Sequence, residues 1–224
     1  MAKIMFWEAV RRAHDEELAN DPLVIVMGED IGVAGGTYKA TQGLYDKYGE
    51  ARVIDTPISE SAIVGAAIGA SYMGMRPIAE MQFIDFISCG FDQITNFAAK
   101  SRYRWGAGVP IVVRGPSGGN THGGPFHSQN VESFFLNTPG LKIVQPSTAY
   151  DAKGLLKAAI RDEDPVLYFE HKYLYRRIKE DLPEEDFTVP IGKAAVRREG
   201  SDLGIITYGA TVYTALEAAE NSSG

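Results

Sequence analysis

The sequence predicts a doubly wound α/β domain built around a mostly parallel sheet. Amphipathic helical segments alternate with short apolar runs, which is the order expected when crossover helices join parallel strands. Several runs, such as 23–27 and 166–169, are apolar throughout, which indicates strands buried on both faces. Ligands bind such sheets at the carboxyl ends of the strands, so the loops that follow the strands are the candidate sites.

Each predicted element rests on a local pattern. The first helix begins at Phe6 and stops before Asp21-Pro22, because a residue that precedes proline avoids helical dihedral angles. Ser59 is placed to cap the helix that starts at Glu60, since its side-chain oxygen can accept an orphan amide hydrogen. The predicted helices cover 6–18, 41–48, 60–73, 89–103, 150–160 and 211–220, and the predicted strands cover 23–27, 52–55, 77–81, 110–114, 142–144, 166–169 and 203–208.

Composition divides the chain into three parts. Residues 1–175 carry the predicted sheet, whereas 176–202 are charged and broken by Pro183 and Pro190, as in an exposed connector. Residues 203–224 hold one strand and one helix. A lone strand–helix unit cannot bury its apolar face, so we expect this part to begin a second domain that is truncated here.

Composition and charge also exclude several classes of protein. The 224 residues include 22 basic and 29 acidic side chains, and the net charge of −7 disfavours binding to nucleic acid or an acidic membrane. A single cysteine, Cys89, cannot form an intrachain disulfide. No signal-peptide core and no apolar run of about 20 residues is visible, so we expect a cytoplasmic protein rather than a secreted or membrane one.

The densest chemical pattern begins at Glu60. Small residues follow it at helical spacing, at Gly65, Ala66, Gly69 and Ala70, so we expect this helix to be buried on all sides, at a subunit contact. On its position alone, Glu60 is a first-turn carboxylate stabilised by the helix dipole. Because it also lies at the ligand end of the predicted sheet, it is a candidate for proton chemistry.

The same helix carries a family resemblance. Glu60, Gly65 and Gly69 match the glutamate-to-glycine motif of the pyrimidine-binding domain of thiamine-diphosphate enzymes. With the other motifs in order, the chain resembles the β subunits of the E1 components of 2-oxo acid dehydrogenases, and its last part resembles the start of their C-terminal transketolase-like domain. The other motifs are Gly28-Glu-Asp30, Asp55-Thr-Pro-Ile-Ser-Glu60, Phe91-Asp-Gln-Ile94, His127-Ser-Gln129, Thr138-Pro-Gly-Leu-Lys142 and Tyr150-Asp-Ala-Lys-Gly-Leu155.

This resemblance implies oxidative decarboxylation of a 2-oxo acid, with transfer of the acyl group to a lipoyl group on the E2 component. Glu60 would form a hydrogen bond with N1′ of the thiamine-diphosphate pyrimidine and so promote loss of the proton at C2 of the thiazolium. The resemblance places His127 beside the reacting acyl group, whereas His122 is expected to be an exposed loop residue. The other residues that it assigns to the pyrimidine pocket are Glu29, Ile58, Gln82 and Phe86. Without the resemblance, Ile58 and Phe86 would be interpreted as ordinary core residues.

A structural potassium ion is also implied, at the exit of the helix 150–160. From the residues alone, this segment is an acidic helix exit before a proline, although oxygen-rich loops can hold a hard cation. Asp164 stands where many relatives have asparagine. The positions that correspond to the potassium ligands are Ile111, Ala159, Ile160, Asp162 and Asp164.

The sequence contains no Gly-Asp-Gly motif of the kind that holds magnesium and diphosphate in these enzymes. The resemblance therefore implies an α subunit that supplies this half of the site, in an α2β2 heterotetramer with the β chains in contact. The segments 102–104 and 122–129 favour a branched-chain 2-oxo acid, with pyruvate or acetoin as alternatives. A non-catalytic assembly or regulatory module is the alternative from another class. A nicotinamide-binding domain is disfavoured, because no Gly-x-Gly-x-x-Gly follows the first strand.

Overall fold

A computed structural model describes residues 3–222 and shows a six-stranded parallel sheet covered by helices on both faces. Its strands are β2 (Val24–Gly28), β3 (Val53–Asp55), β4 (Arg76–Glu80), β5 (Val112–Ser117), β6 (Lys142–Val144) and β7 (Val166–His171). They lie in the order β3-β2-β4-β5-β7-β6, and each neighbouring pair is parallel. The predicted doubly wound α/β fold is confirmed.

The helices and a small second sheet complete the architecture. The helices are α1 (Phe6–Asn20), α2 (Leu44–Tyr48), α3 (Glu60–Tyr72), α4 (Ala99–Trp105), α5 (Ala149–Ile160) and α6 (Thr211–Asn221). Short strands β1 (Ile4–Met5) and β8 (Lys179–Glu180) pair antiparallel, so the start of the described chain lies against the segment that leaves the main sheet. None of the helices among residues 3–222 is both long and apolar enough to span a membrane.

The main sheet separates two hydrophobic cores. Helices α1 and α5 pack on one face, and α3 packs on the other. Neighbouring residues of a strand point to opposite faces, so that in β7 Leu167 joins the core of α3 and Tyr168 joins the core of α1 and α5. This double burial explains why stretches such as 23–27 and 166–169 are continuous apolar runs in the sequence.

Two local predictions are wrong, and a third differs in its bounds and helix type. The helix predicted over 89–103 runs from 91 to 105, but it follows a 3₁₀ helix (Ile84–Gly90) and contains a π-helix (Gln93–Ala98) before α4, because apolar spacing does not distinguish these hydrogen-bonding patterns. Ser59 precedes α3, but its side chain accepts no capping hydrogen bond. Residues 203–208 form no strand, since no described segment pairs with them and most of their side chains are exposed.

The described chain by itself buries only one side of α3, so burial of its other side at a subunit contact stays a prediction. Ile63, Val64 and Ala67 face the core, whereas Ala66 and Gly69 are exposed. The small residues therefore lie on an open face of α3, where another backbone could approach closely.

The segment 176–202, predicted to be a connector, contacts α5. The backbone N–H of Val189 donates a 3.0 Å hydrogen bond to the carbonyl of Gly154. The rings of Phe187 and Tyr150 stack with their centroids 4.5 Å apart. A Cβ atom on Gly154 would lie 2.5 Å from a Val189 methyl group, so the glycine is what allows this approach.

His14, which is buried on α1, should make stability depend on pH. Burial and the nearby charge of Arg114 hold the pKa of His14 well below its ordinary value and outweigh the carbonyls of Val10 and Ala40, which favour protonation. Below about pH 6.5 the unfolded chain therefore takes up a proton that the folded chain does not. We expect the free energy of unfolding to fall as pH falls through this range, and the His14→Gln variant to show a shallower fall in denaturant titrations between pH 5 and 8. The exposed His122→Gln variant is the control, and an unchanged slope for His14→Gln would contradict the assignment.

Candidate active site

Glu29 and Glu60 lie together at the carboxyl edge of the sheet. Glu29 directly follows β2, and Glu60 begins α3 just after β3, the neighbour of β2. Burial raises the pKa of the Glu29 carboxyl, and the negative charges of Glu60 and Asp30 raise it further, while a hydrogen bond from the backbone N–H of Ser59 opposes them. Three carboxylates therefore share this edge, an arrangement common in sites that move protons.

Gln82 lies at the same edge, where it contacts Asp30, a motif residue to which the sequence assigned no role. Its Nε2 atom donates a 2.9 Å hydrogen bond to Oδ2 of Asp30, so Asp30 orients the amide. Asp30 itself adopts a left-handed backbone conformation with φ of 56°. Between β2 and β4, a Cβ atom on Gly28 would lie 2.7 Å from the carbonyl oxygen of Glu80, so only glycine fits there.

An aromatic cluster forms the next part of the edge. His127 ends a short 3₁₀ turn (Pro125–His127), and its ring lies 5.6 Å from the centroid of Phe86 in an edge-to-face arrangement. Phe83 is closer, with its centroid 4.4 Å from that of His127. The resemblance assigned site roles to His127 and Phe86 but not to Phe83. Nothing in the sequence around Phe83 marks it as a site residue.

A fully buried ionic network lies beneath these groups. The guanidinium of Arg114 on β5 pairs with Glu80 at the end of β4 and, through two nitrogens, with Glu170 on β7. The Tyr175 hydroxyl donates to Glu170 as well. Burial raises the pKa of Glu80, and the charge of Arg114 opposes that rise. The network joins three adjacent strands, β4, β5 and β7. Its member Glu80 lies two residues before Gln82, so the network is close to the edge in sequence.

The comparisons with known proteins decide the family. The transketolase pyrimidine-binding domain family matches residues 2–177. The chain is 58% identical to the 2-oxoisovalerate dehydrogenase subunit beta of Bacillus subtilis (strain 168), over 98% of this chain and 68% of that relative. It belongs to the E1 β-subunit family of 2-oxo acid dehydrogenases.

One further relative agrees with this family, and one solved structure agrees with the fold. The E1 β chain is 47% identical to the pyruvate dehydrogenase E1 component subunit beta of Staphylococcus aureus (strain COL), over 98% of this chain and 68% of that one. A solved structure described as a split gene transketolase, an inactive beta4 tetramer, superimposes with a TM-score of 0.77 at 22% identity, over 99% of this chain and 68% of that one. At that identity the superposition supports the fold alone.

Ile58 and His122 take exposed positions in the E1 β chain. The Ile58 side chain is 82% exposed, so it is not an ordinary core residue. It lies two residues before Glu60, on the approach to the carboxylate edge. His122 is exposed, as expected, and adopts a left-handed backbone conformation with φ of 59°.

The five positions predicted for potassium lie around the exit of α5 in the E1 β chain. The carbonyls of Ile160 and Asp162 both accept hydrogen bonds of 3.2 Å from Nη1 of Arg76, so these two oxygens point at one cationic locus. The carboxylate of Asp162 also accepts from Lys142 at 2.7 Å, and Asp164 pairs with Arg102. The remaining two carbonyls, of Ile111 and Ala159, accept from Val166 and Asp162.

This donor set has the chemistry of a cation site, with carbonyl and carboxylate oxygens converging at a helix exit. Arg76, Lys142 and Arg102 already donate hydrogen bonds to some of these oxygens. Within residues 3–222, no group of three or more His, Cys, Asp or Glu side chains is arranged to hold a metal ion, so an ion here would need backbone oxygens as well as carboxylates.

Proposed function

We propose that this chain is the β subunit of a thiamine-diphosphate-dependent 2-oxo acid dehydrogenase E1, which decarboxylates a 2-oxo acid oxidatively and delivers the acyl group to the lipoyl group of E2. The observation that carries the proposal is the convergence of Glu60, Glu29 and Gln82 on one sheet edge, beside Phe86 and His127. When bound, thiamine diphosphate supplies the electron sink for decarboxylation.

The residues of the edge fit one half of that cofactor. Glu60 is half-buried at the start of α3, where it can exchange a hydrogen bond and a proton with N1′ of the pyrimidine. Phe86 offers a flat face for the ring, exposed Ile58 an apolar wall, and Gln82, oriented by Asp30, an amide.

His127 is assigned a different part of the reaction. Its ring lies against Phe83 and Phe86 at the border of the edge, on a loop that follows β5. We assign it to the side of the reacting acyl group, where an imidazole can donate a hydrogen bond or a proton.

A branched-chain 2-oxo acid is the favoured substrate. Identity is higher to the 2-oxoisovalerate dehydrogenase subunit than to the pyruvate dehydrogenase subunit, 58% against 47%. Assays of the assembled E1 with 2-oxoisovalerate, pyruvate and acetoin test this choice, and faster turnover of pyruvate or acetoin would overturn it. Absence of turnover with all three would favour the non-catalytic module.

The other half of the cofactor site is assigned to an α subunit that holds magnesium and the diphosphate. The sequence has no Gly-Asp-Gly motif, and the small-residue face of α3 is open, at Ala66 and Gly69. An α2β2 heterotetramer with the β chains in contact would cover such a surface. We place the enzyme in the cytoplasm.

The split site predicts that the chain alone does not bind thiamine diphosphate. Only the pyrimidine has assigned residues on this chain, and the diphosphate charge has no assigned partner on it. Isothermal titration calorimetry with magnesium present should show no heat of binding for the isolated chain and clear binding after the α subunit is added. Tight binding by the chain alone would contradict the division between subunits.

The potassium assignment predicts a cation-specific gain in stability. If an ion binds the oxygens of Ile160, Asp162 and their neighbours in the folded state only, potassium at a hundred times its Kd adds about 2.7 kcal/mol to the free energy of unfolding. The melting temperature in potassium chloride should exceed that in choline chloride of equal ionic strength, and Asp162→Ala should weaken the difference. Equal melting temperatures would contradict the potassium assignment and leave these oxygens to Arg76, Lys142 and Arg102.

The three-part organisation also enters as a proposal, with a pyrimidine-binding domain at 1–175, a connector at 176–202 and the start of a second domain at 203–224. Leu203 and Ile206 are highly exposed, and α6 has a single buried residue, Val212. These exposed apolar side chains fit a segment whose packing partners would belong to the rest of that second domain.

A further inference from the structure

Lys172 and Asp85 form an unusual pair of buried charges behind the aromatic cluster. Lys172 follows β7 and is 3% exposed, and Asp85 lies in the 3₁₀ helix after β4 and is 5% exposed. Within residues 3–222, neither the Lys172 ammonium nor Oδ2 of Asp85 has a hydrogen-bond partner, and the two groups form no ion pair. Buried polar atoms of native proteins are satisfied by protein or by ordered water, so these two require an explanation.

The charges of the two groups limit what can lie between them. Burial lowers the pKa of Lys172 to about 8, and the negative charge of Asp85 raises it, so the two interact electrostatically without contact. An anion would be repelled by Asp85 and a cation by the ammonium. A neutral molecule that accepts from Lys172 and donates to Asp85 satisfies both, and water is the smallest that does.

Lys172 and Asp85 are each connected by contacts to His127 or to its loop. The Lys172 ammonium lies over the Phe83 ring, 5.8 Å from its centroid, and that ring contacts His127. Oδ1 of Asp85 accepts a 2.9 Å hydrogen bond from the backbone N–H of Gln129, two residues after His127. Lys172 and Asp85 therefore constrain His127 in two ways, through the Phe83 ring that contacts it and through the backbone of Gln129 in the same loop.

We propose that a water molecule bridges Lys172 and Asp85, and that the bridged pair is a positioning device that holds His127 for acyl transfer. The role in transfer rests on the proposed function, whereas the bridge itself does not. Neither residue touches the reacting atoms, since Phe83 and the backbone of Gln129 stand between the pair and His127.

A crystal structure of the chain at about 1.5 Å resolution tests the bridge directly. We expect ordered water within about 2.7–3.2 Å of both Lys172 Nζ and Asp85 Oδ2. Direct contact between the two charged groups, or a third side chain in that place, would overturn the bridge.

Kinetics of the assembled E1 test the positioning role. In Lys172→Met, kcat for the complete reaction should fall about ten- to a hundredfold, as expected when a catalytic group is misplaced. The KM for the 2-oxo acid should change little, and hydrogen–deuterium exchange at C2 of the bound cofactor, which depends on Glu60, should be unchanged. Asp85→Asn should behave alike, the double variant should be no worse than either single one, and Lys172→Arg should restore part of the rate.

Lys153→Met is the matched control, because Lys153 is equally buried but pairs with Glu16 on α1, away from the edge. This variant should lose stability and keep kcat. Normal kcat in a folded Lys172→Met enzyme would overturn the positioning role. If the unaltered E1 showed neither turnover nor C2 exchange, the proposed function would fail while the crystallographic result still decided the bridge.

Discussion

Glu60→Gln is expected to remove most of the turnover of the assembled enzyme while the fold survives. The amide is nearly isosteric, and the first turn of α3 loses only about 0.3–1 kcal/mol of charge–dipole interaction. An amide cannot exchange a proton with N1′, however, so an acid–base contribution of about 10²–10⁴-fold is lost. Cofactor binding should fall much less, since Phe86, Ile58 and the half-site of the partner are unchanged.

Two measurements separate these effects, namely oxidative decarboxylation with an artificial electron acceptor and hydrogen–deuterium exchange at C2 of the bound cofactor. Glu8→Gln is the matched control, because Glu8 is also a first-turn glutamate, on α1, with Arg12 as its partner. It should lose a similar small amount of stability and keep full turnover. Near-normal turnover and exchange in Glu60→Gln would reduce Glu60 to a helix-start residue.

Arg114→Leu is expected to produce the largest loss of stability. Its guanidinium is the partner of both Glu80 and Glu170 in a fully buried site, so removing it leaves two buried carboxylates uncompensated. Breaking such a buried pair costs about 3–5 kcal/mol, a large share of the roughly 5–15 kcal/mol by which domains are stable. Urea denaturation measures the change, with the partly exposed Arg12→Leu as the control, for which we expect no more than about 1 kcal/mol.

The pH dependence of the Arg114→Leu variant distinguishes a charge effect from a packing effect. Arg114 opposes the burial that raises the pKa of Glu80, so its removal should raise that pKa further. A folded-state pKa above the unfolded one means that the folded state binds the extra proton, and the variant should recover stability as pH falls towards 5. A deficit that stays constant with pH would indicate lost packing instead.

Local patterns predicted the fold because several strands contain apolar runs buried on both faces. The run 166–169 is unmistakable as a buried strand, and Glu29 and Glu60 could be placed together because each follows a strand that the topology sets side by side. The apolar run 203–208 shows the limit of this reasoning. Strand propensity yields a strand only where a second strand completes its hydrogen bonds, and no described segment does so.

The parts of the site that the sequence did not reveal depend on contacts between distant segments. Arg114 and Glu170 are 56 residues apart and, in a sequence, look like ordinary charged residues until β5 and β7 are paired. Asp30 and Phe83 were missed for a similar reason, since their roles come from Gln82 and His127. Burial of a charged side chain follows from its partners, and those are set by tertiary structure.

The pairing of β1 with β8 brings the segment before α1 next to the segment that leaves the main sheet. Ile4 lies opposite Glu180, and the backbone N–H of Phe6 donates to the carbonyl of Ile178. Domains with adjacent ends tolerate circular permutation and insertion into the loops of other proteins. We therefore expect that the unit from β1 to β8 can be inserted into a loop of another protein. Its two connections to that protein would lie side by side, and its carboxylate edge should stay intact.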